Sequence, residues 1–231
     1  MSQRIRQVSA KPPRPRVSLQ DRFELFFSRG RRIDGLWIGG VGEKSSPASH
    51  RVEGALGLIK TYDRIKYDRL LRDLDRIFIR VLPDSYGSFN HSLKACQLDE
   101  RFVLDEKSGP ELIASVIMHE ATHARLRRCG IGYEEDLRLR VEKACVRREL
   151  AFAAKLPDGE QIRAQRDPEL AYLPPSYWTN QAFIDRHLKG SAEALHYLGM
   201  PNWLIRATSG LYALNLALRR FAGRLTRLFR A

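Results

Sequence analysis

The chain has 231 residues, of which 43% are hydrophobic and 9% aromatic; one sizeable core is within reach, and a wholly disordered chain is excluded. Lys and Arg number 40 against 27 Asp and Glu, a formal charge of +13 that points to nucleic acid or an anionic membrane surface as partner. Its distribution narrows that reading, because residues 1–32 hold nine basic and two acidic side chains, residues 203–231 hold six and none, and residues 33–202 balance at 25 of each. No run of about 18 apolar residues exists to cross a bilayer. The N-terminus runs into Lys11-Pro12-Pro13-Arg14-Pro15-Arg16 with no apolar segment of a signal peptide. Three cysteines, Cys96, Cys129 and Cys145, are too few and too uneven for a disulfide framework. The expected location is the cytoplasm, with the basic ends available for peripheral membrane contact.

In chain order, residues 1–32 read as a basic, Pro/Arg-containing and partly disordered tail that closes on the apolar cluster Phe23, Leu25, Phe26 and Phe27. Gly35 to Ser49 reads as loop. Val52, Ala55, Ile59, Tyr62, Ile65, Leu70 and Leu74 recur at helical spacing, which predicts a helix over 51–75 weakened by Gly54 and Gly57. Alternation from Ile77 to Leu82 predicts a short strand, and Leu93 to Leu104 a hairpin or bent edge strand around Asp99-Glu100. Next comes a helix over 109–128, with Ser108 and Glu111 at capping-box spacing, Pro110 in its first turn, and Gly130 to end it. A second helix is expected from Tyr133 to Leu156, then a Pro-interrupted helical region over 160–202. Leu211, Leu214, Leu218, Phe221, Leu225 and Leu228 predict a basic amphipathic helix over 203–231. That stripe reads either as a helix docked on the body or as one lying on an anionic membrane. The expected division is thus a tail 1–32, a domain 33–202 and a terminal helix 203–231.

The chemistry lies in His119-Glu120-Ala121-Thr122-His123. Four residues are about one helical turn, so both imidazoles project from one face and can share a metal ion. Glu120 stands about 100° around the axis, able to reach a metal-bound water without ligating the ion. Chance places HExxH in roughly one shuffled chain of this composition per hundred, so context decides. Here the motif sits mid-helix after a β-like segment. A turn through Gly130-Ile131-Gly132 could bring Glu142 back over the first helix. Glu149, seven residues further on, competes: as ligand, as acceptor for the far N–H of a ligating imidazole, or as partner of an arginine. Cys145 faces the same way and reads as a small buried thiol.

With His119, Glu120, His123 and Glu142, the segment 76–155 resembles the gluzincin metallopeptidases, in which HExxH is followed by a glutamate on a second helix. The resemblance implies a zincin-like α+β fold, with a small, mostly antiparallel sheet packed on the motif helix and the second ligand helix. It implies Zn2+ held by His119, His123 and Glu142, Glu120 as general base, and hydrolysis of a peptide or protein substrate. It also implies that Cys96 to Leu104 is the edge strand or hairpin that precedes the motif helix and pairs with extended substrate. Tyr172, Tyr177, His187 and His196 are the downstream candidates for stabilising an oxyanion. Two other functional classes stand beside this one: a non-catalytic, metal-stabilised binding or regulatory module, and a membrane- or nucleic-acid-associated factor acting through its basic ends.

Overall fold

The structure, a computed structural model, describes residues 16–160, 162–163 and 173–207. The expected helix over 203–231 lies mostly outside them, as does the tail before residue 16. The described residues form two compact units, one from the chain up to Val81 with Ser85–Trp178, the other from Leu82–Asp84 with the chain from Thr179 onward.

The first unit is α+β. Helix α1 (Leu19–Phe27) starts where the Ser18 hydroxyl accepts the Asp21 amide, and runs into strand β1 (Ser28–Ile33), so the second half of the expected tail is ordered structure. Strand β2 (Leu36–Val41) and the start of α2 (Ser45–Tyr62) replace the loop expected over 35–49. The glycines that suggested a loop are what admit the strand. A Cβ on Gly39 would collide with the Arg29 carbonyl oxygen, and one on Gly40 with that of Ile79. Helix α3 (Arg64–Asp73) is separate from α2, because Asp63 leaves helical geometry at φ −147° and its carboxylate caps α3 by accepting the Lys66 amide at 3.3 Å.

Strand β3 (Arg76–Arg80) is followed by β4 (Gly87–Asn90), β5 (Ala95–Asp99) and the short α4 (Glu100–Leu104). The hairpin expected around Asp99-Glu100 is absent. Asp99 instead accepts the amides of Arg101 and Phe102, at 2.8 and 3.1 Å, and so caps α4. The sheet order is β1-β2-β3-β5-β4, which makes β5 an interior strand and β4 the edge. β1–β2 and β4–β5 pair antiparallel while β2–β3 and β3–β5 pair parallel, so the sheet is mixed rather than mostly antiparallel. The β2–β3 pair is parallel because the chain crosses over through α2 and α3, and the β3–β5 pair because it returns through β4 between them.

Two long helices complete this unit, α5 (Pro110–Arg128) and α6 (Glu135–Ala153), followed by a 3-10 turn at Pro175–Trp178. Pro110 opens α5 and Gly130, at φ 84°, stands just past its end, as expected. The capping box does not form. Gly109 is the N-cap, while Ser108 is buried and its carbonyl accepts from the Arg51 guanidinium. The main core lies between one face of the sheet (Ile38, Ile77, Ile79, Cys96, Leu98) and the helices, with Val52, Leu56 and Ile59 from α2 and Ile113, Val116 and Ile117 from α5. Each such side chain contributes about 1.5–3 kcal/mol of transfer free energy. The opposite face carries a smaller cluster of Phe78, Leu93 and Ala95 with Val17, Leu25 and Trp37. In the second unit the long element is α7 (Asn180–Tyr197), capped by Thr179.

Candidate metal centre

Helix α5 is buried along Ile113, Ala114, Val116 and Ile117, which fixes its rotation and turns His119 and His123 toward α6. Their Nε2 atoms are 3.2 Å apart. Helix α6 returns antiparallel, since Ser115 on α5 meets Glu149 while His123, two turns on, meets Glu142. Glu142 lies against both imidazoles, with Oε2 3.2 Å from His119 Nε2 and Oε1 3.4 Å from His123 Nε2. Three donors on one tetrahedral ion, at bonds of about 2.0–2.2 Å, would stand about 3.3–3.6 Å from one another. The three side chains therefore fit a shared ion by spacing and by donor chemistry.

Glu149 stands on the other side of the same imidazole. Its Oε2 is 3.0 Å from His119 Nδ1, its Oε1 accepts the Ser115 hydroxyl at 3.0 Å, and the residue is wholly buried. Cys145, between the two glutamates on α6, is also buried, and its Sγ with the donor atoms of His119 and His123 forms a group within 4.8 Å that could hold a metal ion. Glu142 and Cys145 differ in their contacts and in the state of their acidic groups. Glu142 touches both imidazoles directly, and although burial opposes its charge, hydrogen bonds with His119 and His123 hold its pKa well below the usual carboxylate value. Burial pushes the Cys145 thiol the other way, reinforced by Glu142, Glu120 and Glu149, so it must lose a firmly held proton before it can ligate.

Three buried or nearly buried carboxylates, Glu120, Glu142 and Glu149, surround two imidazoles. Burial works against a charge on His119, yet its bonds to Glu142 and Glu149 outweigh this and lift its pKa to about 10. Glu120 makes no comparable contact with an imidazole nitrogen. Burial raises its pKa, partly offset by His123 and His119.

Two surrounding features were missed by sequence reasoning. Tyr133, just beyond the Gly130–Gly132 turn, donates its phenol proton to Glu142 Oε1. Its ring meets His123 edge-on at 5.4 Å and carries the Arg138 guanidinium 5.2 Å from its centroid. Its signal was position alone, in the turn that brings α6 back. The second feature is edge strand β4, not the expected Cys96–Leu104 segment. At Gly87 an added Cβ would stand 2.7 Å from Val116 Cγ1 and 3.1 Å from Glu120 Cγ, so the strand passes directly over the motif helix. Of the expected oxyanion donors, Tyr177 lies in the 3-10 turn, His187 and His196 lie on α7 of the second unit, and Tyr172 falls outside the described residues. No known protein family, curated protein or solved structure matches the chain.

Proposed function

We propose that the protein is a zinc metallopeptidase of HExxH type with a zincin-like architecture, hydrolysing peptide bonds in a peptide or protein substrate. The observation that carries the reading is the convergence of His119, His123 and Glu142 within 3.4 Å, beside buried Glu120. His119, His123 and Glu142 would hold the ion, which when bound supplies Lewis acidity and a nucleophilic water at neutral pH.

The chain's own residues do the rest. With the ion bound, Glu149 would accept the Nδ1–H of His119 and leave the Nε2 lone pair for the ion, and Ser115 holds Glu149 in place. Glu120 takes a proton from the attacking water and delivers it to the leaving amine. A carboxyl whose pKa is raised by burial suits both halves of that transfer. Tyr133 orients Glu142 through its phenol. The outer edge of β4, over Glu120, offers extended backbone with which a peptide can pair.

Elemental analysis and activity together test this. Wild-type protein should carry one zinc, and His119→Ala/His123→Ala none. Glu120→Gln should keep zinc and fold while losing about 100-fold or more in peptidase turnover. A metal-free wild type sinks the reading, and an indifferent Glu120→Gln protein assigns the site to a metal-stabilised binding module.

A further inference from the structure

Helix α1 is folded with its polarity reversed. At about 100° per residue, Asp21, Glu24 and Leu25 share one side, and Leu19, Phe23 and Phe26 the other, flanked by Arg22 and Phe27. The structure turns the acids inward. Asp21 is 8% exposed, and Arg80 reaches Asp21 at 3.2 Å and Glu24 at 2.7 Å, while the Asn90 amide donates to Asp21. The apolar side faces out: Leu19 is 82% exposed, Phe23 66%, Phe26 82% and Phe27 53%. The rings form one cluster, with Phe27 4.7 Å from Phe23 and 5.1 Å from Phe26.

A surface helix of a globular protein normally does the opposite, because both a buried carboxylate and a hydrated phenyl ring cost free energy. Among the described residues no other helix or strand carries more than two exposed large hydrophobics. The pattern therefore calls for an occupant. Charge says which kind. Both acids of α1 are held by Arg80, while Arg22, flanking the apolar side of the helix, and Arg16 and Arg29, next to α1 in the chain, are exposed, and residues 1–15 add four basic side chains and no acid. Exposed aromatic rings on a helix flanked in the chain by arginines complement an anionic lipid surface, where rings enter below the phosphates and guanidiniums pair with them. A second copy would bring the same arginines face to face, a like-charge contact.

We infer that the outer face of α1 seats the protein on an anionic bilayer, with Phe23 and Phe26 inserted at the headgroup–acyl boundary. The inference is independent of the metal centre. Full-length protein is tested by co-sedimentation with vesicles of phosphatidylcholine alone or mixed with phosphatidylglycerol, at low and high salt. Wild type should bind the mixed vesicles at least about tenfold more tightly than the neutral ones, and less so as salt rises. Phe23→Ser/Phe26→Ser should lose about tenfold or more of that binding with unchanged circular dichroism and Tm, since both rings lie outside the core. Phe26→Trp should show a blue-shifted emission on the mixed vesicles. Undiminished binding by Phe23→Ser/Phe26→Ser overturns the inference in favour of the basic chain ends. So does equal binding to neutral vesicles, an unshifted tryptophan, or a wild-type dimer that Phe23→Ser/Phe26→Ser dissolves.

Discussion

Two carboxylates about two turns apart on α6 contact one imidazole in different ways. Glu142 stands at His119 Nε2, where the second imidazole also points, and Glu149 at Nδ1, where nothing else does. Glu142→Ala is therefore expected to lose stoichiometric zinc, Glu149→Gln to weaken zinc about 10–100-fold, and Cys145→Ser to leave it near wild type. Competition titration against a chromophoric chelator reads all three. Zinc lost by Cys145→Ser and kept by Glu142→Ala would place the third donor on sulfur instead. Stability separates the two glutamates again. Removing the Glu149 carboxylate altogether, as in Glu149→Ala, strands the Ser115 hydroxyl and the His119 Nδ1–H in a wholly buried place, at about 1–3 kcal/mol for each unpaired group. That the two histidines share one face could be read from spacing alone, because a helical turn fixes where they fall, while spacing left Glu142 and Glu149 both open. The division of labour between Glu142 and Glu149 could not, since it depends on how α6 is rotated against α5. The same holds for Tyr133.

Strand β4 meets α5 at Gly87, and the closeness of that crossing is a property of the two elements together. A methyl at Gly87 would press on Val116 and on the Glu120 side chain, so Gly87→Ala or Gly87→Val should displace the edge strand from the helix. Peptidase turnover should fall by about tenfold or more with zinc still bound, and strain of about 1–3 kcal/mol should appear in urea melts. Undiminished turnover in Gly87→Val would mean that β4 does not border the reacting groups. Asp63 works at the same scale, between α2 and α3. Burial opposes its charge, but Lys155 and Lys66, at 2.7 and 2.8 Å, outweigh it and hold its pKa below the usual value. A depressed native pKa gives stability that is complete above the unfolded value of about 3.9 and is lost as pH falls through the native one. Asp63→Asn should therefore cost about 1–3 kcal/mol near neutral pH and little in strong acid, as denaturant melts at the two pH values would show. Helical periodicity located both helices but not the break, because Asp63 interrupts the backbone without interrupting the apolar stripe. β2 and β5 misled for the opposite reason. Gly39 and Gly40 look like loop yet allow close strand packing, and Asp99-Glu100 looks like a turn yet caps a helix.

At the scale of the molecule, net charge and site charge have different origins. The excess of basic residues sits at the chain ends, whereas residues 33–202 balance, and within that neutral body the interface of α5 and α6 concentrates Glu120, Glu142 and Glu149 around two imidazoles. No helix among the described residues is long and apolar enough to cross a membrane. With a metal bound as proposed, the buried acid cluster would make folding and metal occupancy one equilibrium. Without an ion, packing α6 on α5 brings carboxylates together with no cation except protons, which His119 holds with a pKa of about 10. A divalent ion would displace that proton and bind only where both helices are in place, and so would stabilise the packed state alone. Zinc at a thousand times its dissociation constant is worth about 4 kcal/mol, which for a chain of this length is a Tm rise of about 8–16 °C. Chelation should therefore lower Tm by that amount in wild type, reversibly on adding zinc back, and leave His119→Ala/His123→Ala unmoved. The displaced proton gives a second readout: zinc binding should release acid, measurable as a buffer-dependent heat in calorimetry. A wild-type Tm indifferent to chelator, with no proton released on adding zinc, would separate the cluster from metal binding and leave it as a buried network joining two helices.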